Sequence, residues 1–301
     1  MVFLLGPTAS GKSRVALEVA RKTGAEIVSL DAFQVYRGMN IGTAKPTRRE
    51  QDEIPHHLLD LVNPEESFSA ADYKREGEGV VRALKKDGRK ALWVGGTGLY
   101  HRVMTQGLSA APRTDKEVAE QIERMATEEM ADEIQRVDPE WAKGADLQNR
   151  RRMVRALAVW QQTGRTMTDW QKKETTPGLL LGSRNFVLLP TMATLSRVIE
   201  QRAKGMLEGG WVEEVRVLMQ REGWRGSPGS RAIGYEQVAM MMQGKMGKQE
   251  ACDKIVTETR AYAKRQLTWF RGLTNFQAIE IDPQLSPCKS VVDILMAALS
   301  E

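Results

Sequence analysis

The residues best suited to chemistry stand near the start of the chain. Gly6-Pro7-Thr8-Ala9-Ser10-Gly11-Lys12-Ser13 matches G-x-x-x-x-G-K-[ST]. Gly6 and Gly11 let the backbone turn so that several N–H groups point inward at one anion. Lys12 adds a mobile positive charge, and the Ser13 hydroxyl can hold a magnesium ion. This is a cradle for a polyphosphate; its pattern does not say which. Asp31 supplies a carboxylate suited to acid–base work or to capping a loop. Gly95-Gly96-Thr97-Gly98 offers close backbone approach to a ligand and one hydroxyl, or a plain turn. Motor-type ATPases usually carry an acidic residue at such a strand end, and glycines stand there instead, which weighs against nucleotide hydrolysis.

These groups need strands to hold them. Val2–Leu5 is an apolar run leading straight into the loop, and a helix from Arg14 to Thr23 turns its N-terminal dipole on the bound anion. Glu26–Leu30 reads as a second strand ending at Asp31, and Ala91–Val94 as a buried strand ending at the glycines. Carboxyl ends of parallel strands are where open α/β sheets bind ligands. Ser69–Lys86 reads as a helix capped by Ser69, and Phe186–Pro190 as a further strand. The polar, glycine-rich stretch Gln34–Pro46 reads as a substrate-facing loop. His56 and His57 lack a third ligand candidate nearby, so they read as structural.

The 301 residues, 41% apolar, suit a soluble globular protein of one large or two smaller domains. The net charge of +5 permits a nucleic-acid partner without requiring one. Cys252 and Cys288 match no metal spacing and read as two buried thiols in a reducing compartment. No apolar run is long enough to span a bilayer, so a cytoplasmic protein without a membrane partner is expected.

Composition shifts at Pro112, and from Thr114 to about Thr175 the periodicity is helical with no strand signal. The expected division is therefore an α/β core of residues 1–112 and 184–301, with C-terminal helices, and a helical insertion at 113–183. In the insertion a helix over Gln148–Gln162 carries Arg150, Arg151, Arg152 and Arg155, either a solvated face or an anion contact. Further on, Leu195–Glu208 reads as a helix, and Ser230–Glu236 as a helix start. Lys248–Phe270 is the longest helix, with Ile255, Tyr262, Trp269 and Phe270 on its apolar face. Arg260, Lys264 and Arg271 fall on another face, a stripe suited to a phosphate backbone or to simple solvation.

Taken in order, these motifs resemble the bacterial tRNA dimethylallyltransferases, also called tRNA isopentenyltransferases, over nearly the whole chain. The segments that carry the likeness are GPTASGKS at 6–13, Asp31 with Gln34-Val35-Tyr36, Gly38–Pro46 (GMNIGTAKP), Pro55–Asp60 (PHHLLD), Val94–Tyr100 (VGGTGLY), Arg231–Tyr235 (RAIGY) and Lys264–Arg271 (KRQLTWFR). The resemblance implies a P-loop NTPase/kinase-like parallel sheet with a helical insertion domain, tRNA gripped between the two, and a monomer. It implies transfer of a dimethylallyl group from dimethylallyl diphosphate to N6 of the adenosine 3′ of the anticodon, with magnesium on Ser13. Residues 6–13 would hold the diphosphate, aided by Lys12 and by Arg202 in its Glu200-Gln201-Arg202 context. Asp31 would take the N6 proton and Thr97 would orient the reactants. Asp31, Ala32, Phe33, Gln34 and Thr97 would read the flipped base. Asn149, Arg150, Arg151, Arg152, Arg231, Gly234, Tyr235, Lys264, Arg265, Gln266 and Arg271 would face the anticodon stem-loop. The chain departs from the family pattern at Ala32 (commonly serine), Ser13 (commonly threonine), Gln148-Asn149 (for Asn-Asp) and Glu236 (arginine in some relatives).

The chemistry suits those residues independently. The exocyclic amine of adenine is a poor nucleophile, so the largest demand is to stabilise charge on the departing diphosphate. A base inside a stacked stem-loop must also leave its stack to react. Two other enzymes would use the same loop: a P-loop small-molecule kinase binding ATP, and a prenyltransferase acting on free adenine nucleotides. The missing acidic residue after Val94 weighs against the first, and the second gives no reason for a basic helix stripe. A non-enzymatic RNA-binding protein would have no use for an intact Lys12 and Asp31.

Overall fold

In a computed structural model, residues 1–173, 175–180, 182–284 and 287–300 of the chain are described. The chain divides into two compact units, Met1–Thr105 with Leu179–Glu301, and Gln106–Gly178. The division falls before the 113 and 183 expected from composition. Helix Gly98–Thr105 ends the first stretch of the core, and a short strand pair at 108–109 and 175–176 already belongs to the second unit.

The larger unit runs β1 (Val2–Leu5), α1 (Lys12–Thr23), β2 (Glu26–Leu30), α2 (Arg48–Glu53), β3 (His56–His57), α3 (Ala70–Lys86), β4 (Ala91–Gly95) and α4 (Gly98–Thr105). In the smaller unit come β5 (Leu108–Ser109), α5 (Lys116–Glu123), α6 (Thr127–Val137), α7 (Pro139–Gly144), α8 (Arg150–Thr163), α9 (Met167–Lys173) and β6 (Thr175–Thr176). The core then resumes with β7 (Arg184–Leu188), α10 (Met192–Glu208), α11 (Trp211–Met219), a 3-10 turn at Gly229–Arg231, α12 (Tyr235–Met242), α13 (Lys248–Arg271), β8 (Gln277–Ile279) and α14 (Lys289–Ser300).

The core sheet is parallel and six-stranded, in the order β3-β2-β4-β1-β7-β8. β1, β2 and β4 are buried along their whole length, as strands covered on both faces must be, and that explains their continuous apolar runs. Register aligns Leu5 of β1 with Gly95 of β4, and Gly95 with Leu30 of β2. The three strands therefore end in one row. One apolar layer packs α1 and α14 on the sheet through Val15, Val19, Val292 and Leu295. A second gathers α10 to α13 around Ile199, Trp211, Tyr235, Ile255 and Leu267.

Helix α3 begins as expected, with Ser69 and Asp72 forming a reciprocal capping box. The expected helix start at Ser230 is instead the 3-10 turn, and α12 begins at Tyr235 after Gly234 turns left-handed at φ +95°. The small unit packs α5, α6 and α8 through Ile122, Met130, Ile134, Met153 and Leu157. Its β5–β6 pairing, Leu108 to Thr176 and Ser109 to Thr175, carries no periodic signal because two-residue strands are too short to show one.

Candidate active site

β1 delivers the chain to the loop at Gly6, whose φ is +154°; a Cβ there would lie 2.9 Å from the carbonyl oxygen of Leu188. Ala9 is left-handed at φ +63°, and so is Gly11, at +85°, which precedes α1 without a side-chain cap. The first amides of α1 are thus left for an anion. Lys12 lies back along its own loop, Nζ donating to Pro7 O at 2.7 Å and Ser10 Oγ at 3.4 Å. Burial lowers its pKa to about 7, the Arg202 guanidinium pushes the same way, and Asp31 opposes both. Arg202, from α10, points Nη1 at Thr8 Oγ1, 3.4 Å away. Burial lowers its pKa as well, again with Asp31 opposing. Two cations and one carboxylate, from three distant parts of the chain, share a site with net room for negative charge.

Asp31 follows the end of β2. Its Oδ1 accepts from the amides of Phe33 at 2.8 Å and Gln34 at 3.2 Å, so the capping role open in the sequence is filled by one oxygen. Oδ2 has no protein partner among the described residues. Thr97 accepts on Oγ1 from the Ala32 amide at 3.2 Å, and its own amide donates to Leu30 O. The glycine loop is thereby tied to the residue beside the carboxylate. Beside them stands Tyr262 of α13, whose hydroxyl pKa is raised by burial and by Asp31 and lowered by Thr97. Tyr262 reads in the sequence as apolar packing; it is a wall of the site.

A cavity of about 530 Å³ is lined by Lys12, Ser13, Asp31, Gly96, Arg202 and Tyr262, among others. A second chamber of about 280 Å³ shares Asp31, Arg202 and Tyr262 with it and is otherwise mostly apolar, with Phe33, Ile199, Trp211, Ile233 and Ile255. Asp31 therefore lines both spaces, as do Thr8 and Thr43.

The Gly38–Pro46 loop walls both chambers and is held at three points. Glu214 accepts from the amides of Asn40 at 2.7 Å, Ile41 at 2.6 Å and Gly42 at 3.2 Å, and from the Tyr235 hydroxyl at 2.7 Å. Gln34 donates to Thr43 O at 3.3 Å and Ala44 O at 3.2 Å, and accepts from Ser29 Oγ at 2.8 Å. Buried Lys45 donates to Tyr36 O at 2.8 Å and Asp60 Oδ1 at 2.6 Å. Nothing in the sequence marks Glu214, an acid in the first turn of α11 where acids are common for the helix dipole alone.

Several residues that the resemblance implies for tRNA face inward. Gln34 has its carboxamide engaged as above. Gly234 is buried, and a Cβ there would meet Trp211 at 2.1 Å. Tyr235 is 1% exposed and bonded to Glu214. Gln266 is 6% exposed and turned toward the phosphate loop. Each is held by packing that a motif does not display. Arg231, Lys264, Arg265 and Arg271 are exposed, while Arg260 is partly spent on Ser196 O and Glu200, each at 3.4 Å.

In the smaller unit, Asn149 caps α8 by accepting from Arg152 N at 3.2 Å. Arg150 donates to Thr127 Oγ1, Glu123 O and Met125 O, closing the ends of α5 and α6. Arg151 and Arg152 point to solvent. Arg155 bonds Pro112 O, Thr114 Oγ1 and Ala111 O.

His56 bonds Ile54 O and His57 bonds Glu26, in keeping with a structural pair. Cys252 is buried as expected, but Cys288 is exposed, because it sits just ahead of α14 and not within it. Ser13 is exposed on the cavity wall with no protein partner among the described residues, so its hydroxyl is available to a cation. No cluster of three His, Cys, Asp or Glu among the described residues could cage a metal. A magnesium ion here would take its other ligands from substrate oxygens and water, its ordinary habit. No helix among the described residues is long and apolar enough to cross a membrane.

The chain is similar to known proteins in sequence and in fold. Residues 34–273 match the family described as IPP transferase. The chain is 38% identical over 270 residues to tRNA dimethylallyltransferase 1 of Citrifermentans bemidjiense, covering 90% of this chain and 88% of that one. It is 40% identical over 285 residues to the tRNA dimethylallyltransferase of Nitrosomonas eutropha, covering 93% and 90%. Among solved structures, the full-length tRNA isopentenylpyrophosphate transferase of Bacillus halodurans superposes with a TM-score of 0.70 at 31% identity, covering 99% of this chain and 96% of that one.

Proposed function

The chain belongs to the IPP transferase family, and on that premise we propose how its residues carry out prenyl transfer to tRNA. The enzyme transfers a dimethylallyl group to N6 of the adenosine 3′ of the anticodon, with dimethylallyl diphosphate as the donor. The N6 lone pair forms a bond to the allylic carbon. The carbon–oxygen bond breaks, its electron pair leaves with diphosphate, and the N6 proton passes to Asp31.

The observation that carries this reading is that Asp31 lines both the phosphate-loop cavity and the apolar chamber. Loop amides, Lys12 and Arg202 surround the place for a diphosphate, where charge grows as the bond breaks. Ser13 would hold magnesium, which supplies further neutralisation of the leaving group. The free Oδ2 of Asp31 is positioned for general-base work, worth about 10²–10⁴-fold. Thr97 fixes Ala32 and so the direction of that carboxylate. The apolar chamber with Phe33 and Trp211 suits an everted purine.

Incubation with labelled dimethylallyl diphosphate and, separately, γ-labelled ATP, with total tRNA as acceptor, tests the proposal. Label is expected in tRNA from the first donor only. Label transferred from ATP, or none from the diphosphate, would sink it.

A further inference from the structure

Gln266 lies in the KRQLTWFR segment next to the exposed Lys264 and Arg265, yet its own side chain is buried. Its Oε1 accepts from the Thr8 amide at 2.7 Å, and its Nε2 donates to Gly96 O at 2.9 Å. One carboxamide thus joins the third residue of the phosphate loop to the glycine loop at the end of β4. The fit is close from every side. A Cβ on Gly96 would sit 2.2 Å from Nε2 of Gln266 and 3.0 Å from Gly6 O. Thr8 is gripped twice, through its amide by Gln266 and through its hydroxyl by Arg202. Ser10 donates its amide to Pro7 O, so it too is committed within the loop. The amides left for an anion are those toward Gly11 and the start of α1, and their direction depends on where Thr8 is pinned.

We propose that Gln266 is a positioning residue for the diphosphate cradle and not a tRNA contact. It sets the phosphate loop against the Gly96 loop so that the remaining amides converge on the donor. The inference rests on the reading of the loop as a diphosphate site given above. A primary amide is required, because only it offers an acceptor to one backbone and a donor to the other from a single planar group. Methionine would fill the same space with neither bond. Asparagine would keep both atoms on a stem one methylene too short. Glutamate would face the Gly96 carbonyl with an oxygen.

The test uses the full-length enzyme and Q266M, Q266N and Q266E. Inorganic diphosphate binding is measured by titration calorimetry with magnesium, and KM is measured separately for dimethylallyl diphosphate and tRNA. Losing a bond that pins a buried amide should weaken diphosphate binding and raise donor KM about tenfold. tRNA KM should stay within twofold of the parent. Q266N should resemble Q266M although it is polar, and Q266E should be worse than either. Equal donor affinity in Q266M and parent would overturn the proposal, because packing alone would then suffice. A fall in tRNA affinity with unchanged diphosphate binding would also overturn it. If one variant is too unstable to purify, the other two still separate these outcomes. Failure of the parent itself to bind diphosphate would instead overturn the site reading.

Discussion

Arg202 Nη1 stands 3.4 Å from Thr8 Oγ1, linking a helix that begins at Met192 to the phosphate loop near the amino end. In the proposed reaction, a guanidinium held there faces charge that grows as the leaving group departs. Arg202→Ala should therefore lower kcat about 10²–10³-fold with little change in tRNA KM. Arg202→Lys should recover only part, because an ammonium lacks the planar fork. Single-turnover rates check this; a loss under threefold for the alanine variant would remove Arg202 from the chemistry.

Lys12 gives a proton signature. Its pKa falls from the usual lysine value to about 7 in the folded protein, through burial and Arg202. The unfolded chain therefore holds more protons between pH 7 and the normal lysine range, so this group's contribution to stability rises with pH across that window. A bound diphosphate should restore the higher pKa and draw in close to one proton per site at pH 8. Calorimetry in buffers of different ionisation enthalpy, comparing parent with Lys12→Met, reads that uptake. Identical buffer dependence in the two proteins would refute it.

Asp31→Asn separates the turn cap from the proposed proton acceptance. The amide oxygen can still accept from Phe33 and Gln34, so the turn should persist. Proton acceptance is lost, and transfer should slow about 10²–10⁴-fold while tRNA affinity holds. Turnover close to that of the parent would show that the base lies elsewhere.

Charge reversal at Lys264, Arg265 and Arg271 should weaken tRNA binding. The slope of log affinity against log salt should also flatten by about 0.7–0.9 for each phosphate no longer neutralised. Arg151→Glu with Arg152→Glu should do the same for the smaller unit, whereas Arg150→Glu should lower its melting temperature, since that side chain closes two helix ends. A constant slope in the first set would mark those side chains as solvated surface.

Glu214→Gln leaves the loop amides a weaker, uncharged acceptor. The cost should be about 1–3 kcal/mol of stability. Hydrogen exchange at Asn40, Ile41 and Gly42 should quicken before the rest of the core responds. Exchange protection equal to the parent's would show that the carboxylate is dispensable.

Legibility in the sequence follows how local the cause is. The phosphate loop is readable because glycine, lysine and serine at fixed spacing need only a strand before and a helix after. Asp31 and Thr97 are readable as strand-end residues. Gln266 is not, because a motif names a segment and not a direction. A signal does lie in the period: Gln266 follows Ala263 by three residues and precedes Phe270 by four, and both are fully buried. Tyr235 and Gly234 are obscured by Trp211, whose ring fills the space around them from a helix two dozen residues earlier. Glu214 is invisible at that level, since the amides it binds lie about 170 positions away.

Leu5, Leu30 and Gly95 share a row of the sheet. The phosphate loop, Asp31 and Thr97 therefore depart from a common baseline, though some ninety residues of chain separate the first from the last. Deleting a single residue from any of those strands would slide its group by about 3.3 Å, more than the tolerance of a hydrogen bond. The alignment admits no such drift, and the loops that leave it are pinned in turn by Gln266 and Glu214.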